Sequence, residues 1–299
     1  MRLLTYDRQD APRLALLLGD RAFDLADAAA RLTAASLPAD MLAFIAAGEE
    51  AWAGARDLAA RLERGEAADL ARPLAATKLL APIPRPAKNI VCVGLNYADH
   101  ARETSQEVSP YPVFFTKPPT TVIGPEVPIP WHGAVTTHVD WEAELAVIIG
   151  RPGRDIPEEA ALQHVFGYTI ANDVSARDLQ RRHVQWYKGK SLDGFCPLGP
   201  WIVTSDEIPD PQVLDIRLRV NGEPKQDSST SQMIYPVARL IAVLSAGLTL
   251  EVGDLLITGT PAGVGFVRQP PEYLRPGDLV EAEIESIGVL RNPVAQEEQ

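Results

Sequence analysis

Three carboxylates stand two residues apart in HVDWEAELAVIIGR, residues 138–151: Asp140, Glu142 and Glu144. Alternate residues of a strand share a face, so these acids line one face, while Val139, Trp141, Ala143, Leu145 and Val147 take the other. The acidic face turns apolar at Ala146 and Ile148, which places the acids near one end of a strand whose continuation is buried on both sides. Neighbouring like charges on one face repel, and no basic residue is interleaved. A solvated edge strand would show this pattern. So would a site for a divalent cation, which reverses the sign of the interaction; all-oxygen ligands select Mg²⁺, Mn²⁺ or Ca²⁺ over zinc. The stretch VFGYTIANDVSARDLQRRH supplies a further acid, Asp173, where an apolar strand gives way to a polar turn. From there it can meet a neighbouring strand's acids, or cap the helix that follows.

Other side chains carry chemistry of a different kind. In NYADHARE, His100 and Glu103 are three apart and project from one side of a helical turn. A carboxylate beside an imidazole fixes its tautomer and raises its basicity, as a water-activating base requires; a solvated helix carries the same pair without using it. Arg177 and Gln180 in SARDLQ are one helical turn apart, and the Arg fork suits a carboxylate, whereas Arg181 and Arg182 read as surface residues. The glycines of TGTPAGVG lack the Lys-Ser/Thr of a phosphate loop and precede no amphipathic helix. They suit a tight loop that presents backbone N–H groups and the Thr260 hydroxyl to a substrate carboxylate.

The elements that must position these groups fall into two textures. Up to about residue 82, RLLTYD and RLALLLGDRAFDL predict two or three short strands with a turn at Gly19-Asp20. Two helical stretches follow, LADAAARLTAA and DMLAFIAAGEEAWAGARDLAARLERG, the second capped by Asp40 and stopped by Gly65. The proline-rich LAPIPRPAKN, residues 80–89, reads as an extended linker, and a domain boundary is drawn near residue 82. Beyond it strands dominate: NIVCVGL, VFFTK, HVDWEAELAVIIG, VFGYTIAND, GPWIVTSD, LDIRLRVNGE, DLLITGTP and DLVEAEIESIGVLRN. Asn221-Gly222 marks a hairpin, PVARLIAVLSAGLTLEVGD is a helix that stops at Gly247, and the tail AQEEQ is expected to fray. Grouped strands with few helices between them predict an α+β protein with a curled or barrel-like sheet rather than a doubly wound one.

Composition bounds the function. The chain has 299 residues, 46% hydrophobic and 23% charged, with a net charge of −12. That balance and the absence of a basic stripe argue against a nucleic-acid partner, so no salt-dependent DNA binding is expected in an electrophoretic shift assay. The two cysteines, Cys92 and Cys196, form no disulfide framework or metal motif and read as packing residues. No apolar run approaches the ~20 residues of a membrane span, and the charged N-terminus does not suit a secretory leader. A cytoplasmic protein is expected.

From about residue 85 to 294 the chain resembles the fumarylacetoacetate hydrolase superfamily. The likeness rests on GLNYADHARE, PVFFTKPPTTVIG, VDWEAELAVIIGR, GYTIANDVSARDLQ, GKSLDGFCPLGPWIV, QDSSTSQMIYP and GDLLITGTPAGVG, in that order. The resemblance implies a catalytic β-roll of mixed sheets over residues 83–299, a small α/β accessory domain over 1–82, and a homodimer. It implies one divalent cation, Mg²⁺ or Mn²⁺ with Ca²⁺ also possible, held by Glu142, Glu144 and Asp173, with Asp140 behind them. It implies that His100 and Glu103 form the hydrolytic dyad and that Lys190 stabilises an oxyanion. Arg177, Gln180, Thr260 and, at a strand end, Lys117 would meet the substrate. The expected reaction is hydrolysis of a C–C bond in a small 2-oxo acid through a metal-bound enolate. Isomerisation of a 2-hydroxy-diene-dioate and oxaloacetate-type decarboxylation are alternatives on the same centre. A metal-binding module without turnover would have lost the dyad or the lysine, and both are present.

Overall fold

A computed structural model describes residues 1–33 and 36–296. The protein is α+β, built from mixed sheets. The largest sheet has 12 strands and runs through Arg21–Asp24, Ala11–Leu18, Arg2–Arg8, Cys196–Thr204, Val165–Asn172, Ala143–Ile149, Leu255–Ile257, Ile90–Gly94 and Val113–Lys117. Its strand order is open, so the curled sheet is not a closed barrel. A five-stranded sheet of Glu223–Ser229, Asp215–Val220, Leu279–Ile284, Gly288–Gln296 and Ile129–Trp131 lies beside it.

Ala143–Ile149 is central and buried at every position. It pairs antiparallel with Val165–Asn172 on one side and Leu255–Ile257 on the other. Its odd-numbered side chains join a core with Trp141, Tyr168 and the helix Val237–Ser245. Ala146 and Ile148 join a second core, which includes Phe44, Trp52, Ala55 and Leu58 from the N-terminal helices. Phe166 links the two parts, its ring 6.2 Å from Phe44 and 5.1 Å from Trp52. The N-terminal segment thus covers one face of the site-bearing sheet. It also extends that sheet, because Arg2 and Leu3 pair with Val203 and Ile202.

Local signals were realised where their chemistry is local. Asp40 caps Met41–Ala46 by accepting the Ala43 N–H, and Asn221 and Gly222 take positive φ between Val220 and Glu223. The long helical stretch is divided, however, into Met41–Ala46 and Gly48–Glu63, with Gly48 at φ +74°. DLVEAEIESIGVLRN is not one strand but a hairpin turning at residues 285–287. Ala295 and Gln296, expected to fray, instead pair with Pro130 and Trp131; the rest of that tail, residues 297–299, and residues 34–35 lie outside the described residues.

The acidic strand differs in a way that matters. It is interrupted at Trp141-Glu142: Val139–Asp140 pairs with Ser175–Ala176, and the central strand starts only at Ala143. The backbone leaves the ladder because side chains capture it. Asp140 accepts the Trp141 N–H at 2.8 Å, the Asn172 amide oxygen accepts that of Glu142 at 3.0 Å, and the Gln226 amide oxygen that of Ala143 at 2.9 Å.

At the far edge, buried Asp24 caps the helix Leu25–Leu32 and accepts from Tyr6 Oη at 2.8 Å and from Arg13 Nε and Nη2 at 2.9 and 2.8 Å. Burial opposes its charge, but Arg13, the Asp27 N–H and the Tyr6 hydroxyl outweigh burial and hold its carboxyl below the usual range. A depressed folded-state pKa stabilises the fold above the unfolded value near 3.9 and is lost as pH falls through the folded one. Asp24→Asn is expected to cost about 2 kcal/mol at pH 7. Its melting temperature should converge on that of the wild type as pH drops below about 4; an unchanged gap at acid pH would contradict the assignment.

Candidate active site

The central strand delivers Glu144, the interruption before it delivers Glu142, and the end of Val165–Asn172 delivers Asp173. Register locks them together. Ala143 lies opposite Asn172, and the Asp173 N–H donates to the Glu142 carbonyl at 2.9 Å. Carboxylate oxygens from all three lie within 4.8 Å of one another, and all three side chains are buried.

Cations converge on the same atoms. Lys190, at the end of the short helix Tyr187–Lys190, places Nζ 2.7 Å from both Glu142 Oε2 and Asp173 Oδ2. Arg177 donates from Nε to Asp140 Oδ2 at 2.8 Å and from Nη1 to the Gln180 amide oxygen at 3.0 Å. Its Nη2 lies 2.7 Å from Glu142 Oε1, a charge contact rather than an aligned hydrogen bond. Burial would raise Glu142, but Lys190 and then Arg177 outweigh it and hold it at about 2. Glu144 has the opposite fate: burial first, then the charges of Asp173 and Glu142, push it well above the usual carboxylate range. Three buried carboxylates this close do not all ionise comfortably unless another cation joins them.

The loop over residues 259–266 organises the rest. Its backbone N–H groups do bind carboxylates, but they are the protein's own: Gly259 donates to Glu144, Gly263 to Glu103 Oε2 at 2.9 Å, and Gly265 and Phe266 to Asp140 at 2.7 and 3.1 Å. Gly263 sits at φ +104°, and a Cβ there would meet the Lys225 carbonyl oxygen at 2.0 Å, so only glycine fits. Glu103 in turn holds His100, Oε1 to Nδ1, at 2.7 Å. This leaves Nε2 as the imidazole nitrogen available for proton transfer.

These groups surround a cavity of about 350 Å³. His100, Glu142, Glu144, Arg177, Gln180, Lys190 and Thr260 line it. Two expectations are corrected. Lys117 does not line it: it is fully buried, donates to Asp173 Oδ1 at 2.5 Å and to the Val174 carbonyl at 3.1 Å, and so supports the carboxylate centre rather than facing substrate. Thr260 lines it, but its one hydroxyl hydrogen goes to the Ala143 carbonyl at 3.0 Å, and its oxygen accepts from Gln226 at 2.8 Å. In this arrangement its hydroxyl hydrogen is spent on the protein's own backbone. Sequence reasoning missed Phe266, Trp186 and Arg181 among the lining residues. It also missed Gln226, whose polar strand gives no sign of a buried amide.

The donor set fits a hard divalent cation: three buried carboxylates from two neighbouring strand ends, with no thiolate or imidazole among them. Fold and site together define a metal-site enzyme with a hydrogen-bonded His–Glu pair beside its carboxylate centre. Residues 89–295 match the family described as Fumarylacetoacetate (FAA) hydrolase C-terminal, and the chain belongs to that family. It is 46% identical over 263 residues to the oxaloacetate tautomerase YisK of Bacillus subtilis (strain 168), covering 87% of each chain. The fumarylacetoacetate hydrolase of psychrophilic Exiguobacterium antarcticum superposes with a TM-score of 0.85 at 41% identity, covering 99% of this chain and 100% of that one. Maleylpyruvate hydrolase of Sphingobium sp. SYK-6, solved with manganese(II) and pyruvate, superposes at 0.79 with 31% identity over the full length of both.

Adding Mn²⁺ or Mg²⁺ at about a hundred times its Kd is expected to stabilise the fold by ~2.7 kcal/mol, roughly 5–10 °C in melting temperature. Chelation should reverse the shift. Glu144→Gln keeps an acceptor for the Gly259 N–H but removes the anion, and should abolish it; a full shift in this variant would exclude Glu144 as a ligand.

Proposed function

We propose that the protein is a tautomerase that interconverts the enol and keto forms of a small 2-oxo dicarboxylic acid of the oxaloacetate type. The observation that carries this reading is the His100–Glu103 pair, hydrogen-bonded at 2.7 Å on the wall of the carboxylate-lined cavity. The name of the YisK relative, 46% identical over most of both chains, supports it. Hydrolysis, the leading expectation from sequence, demands more: an activated water, an acyl acceptor carbon and room for two products. Tautomerisation needs one proton taken from the enol oxygen and one delivered to the alkene carbon next to the oxygen-bearing carbon.

Glu142, Glu144 and Asp173 would hold Mg²⁺ or Mn²⁺, which when bound supplies Lewis-acid polarisation of the substrate's 2-oxo oxygen. The chain's own residues do the remaining work. His100 Nε2 takes and returns the proton, while Glu103 stabilises the imidazolium that forms between the two steps. Glu103 is itself fixed by the Gly263 N–H, so the base does not swing. Lys190 keeps positive potential beside the oxygen on which charge develops. Arg177 holds Glu142, Asp140 and the Gln180 amide oxygen in register. The reaction breaks no carbon–carbon bond and needs no redox partner.

The purified protein with Mg²⁺ or Mn²⁺ is expected to accelerate loss of enol-oxaloacetate absorbance well beyond CO₂ release. His100→Ala should lower that rate by about 10²–10⁴. Release of a carboxylic acid and pyruvate from acylpyruvates at a comparable rate would restore hydrolysis as the main activity. CO₂ evolution that matches or outruns enol loss would make the protein a decarboxylase.

A further inference from the structure

We propose that Arg181 is the specificity-determining residue of this cavity and selects substrates with a second carboxylate; the inference rests on the 2-oxo acid reading above. The cavity is lined by three Lys or Arg side chains: Arg177, Arg181 and Lys190. Two are committed to the protein's own acids. All three guanidinium nitrogens of Arg177 are engaged, by Asp140, Glu142 and Gln180. Lys190 bridges Glu142 and Asp173. Among the described residues Arg181 forms no ion pair, so it is the lining cation whose charge is free for a ligand.

Arg181 is exposed, but it lines the cavity and packs on an aromatic ring rather than pointing freely into solvent. Arg177 and Arg181 are four apart on the helix Arg177–Arg182 and share a face. Both guanidinium groups pack on the Phe266 ring, at 4.5 Å for Arg177 and 5.4 Å for Arg181. The adjacent Arg182 does not line the cavity. The Phe266 N–H binds Asp140, so the ring that steers Arg181 is tied to the carboxylate centre. Arg177 reaches Glu142, and Arg181 stands four residues further along the helix, about 6 Å along its axis. That is roughly the length of a four- or five-carbon diacid. With the 2-oxo end at Glu142, Glu144 and Asp173, a terminal carboxylate falls beside the Arg181 fork, which can grip it through two parallel N–H bonds. A terminal methyl at the same place would leave the cation with water alone.

A pair of 2-oxo acids of equal length isolates this contact. 2-Oxoglutarate and 2-oxopentanoate differ in the terminal carboxylate, and their binding to Mn²⁺-loaded full-length protein is read by calorimetry. The wild type is expected to favour 2-oxoglutarate, and Arg181→Gln to shrink that preference by about tenfold to a hundredfold. Arg181→Lys should recover part of it, because the charge returns without the fork. Turnover of enol-oxaloacetate by the same proteins should show the loss mainly in KM. Equal affinity of the wild type for the two acids, or an undiminished preference in Arg181→Gln, would overturn the proposal. A wild type that prefers the diacid through Arg181 yet does not turn over enol-oxaloacetate would instead overturn the tautomerase reading and leave the selector in place.

Discussion

Mutual repulsion among Glu142, Glu144 and Asp173 is the constraint around which the structure is arranged. Their oxygens lie within 4.8 Å of one another in a buried place, where like charges are screened least. Lys190 spans two of them, Lys117 backs one, and Arg177 joins another to Asp140. The opposed shifts of Glu142 and Glu144 express the result: the acid in contact with Lys190 and Arg177 stays ionised, and the one facing its fellow acids resists ionisation. A hard divalent cation would complete the balance and, in the function proposed above, supply the Lewis acid.

The loop over residues 259–266 solves the same problem with backbone. Four of its N–H groups bind Glu144, Glu103 and Asp140, so one short segment fixes a carboxylate of the centre, the partner of His100 and the anchor of Arg177. Gly265 shows how tight this is: a Cβ there would meet the Glu272 carbonyl oxygen at 2.2 Å and Asp140 Oδ1 at 2.6 Å. Proton transfer rewards such rigidity, because a base held in place spends no free energy on reorientation during the reaction.

The N-terminal segment contributes by burial. Ala146 and Ile148 on the central strand would face water without Phe44, Trp52 and their neighbours. A strand exposed on that face would hold Glu144 less firmly. Cys92 and Cys196 fill the same apolar layer, and burial raises both thiols. Both are buried packing residues.

Much of this was legible because it is local. Alternation, caps and turn residues act over a few positions, so Asp40, Asn221-Gly222 and the apolar runs declared their elements. The types and order of Glu142, Glu144, Asp173, His100 and Glu103 pointed to a hard-metal centre with a base beside it. What the chain could not declare were the partners chosen across the fold. Asp140 does not share a simple face with Glu142, because the backbone at Glu142 and Ala143 is captured by Asn172 and Gln226, 30 and 83 residues away from the positions they bind. Lys117 turns to Asp173 and the Thr260 hydroxyl to Ala143, partners that their sequence positions do not announce. Arg181 reads as surface on its own helix and becomes a cavity wall only when Phe266 arrives from the other half of the chain. By itself the sequence determined which atoms could do chemistry, since side-chain type is written residue by residue. Only the tertiary structure decided which of those atoms remain free to do it, since hydrogen bonds and ion pairs are allotted by neighbours that sequence distance does not reveal.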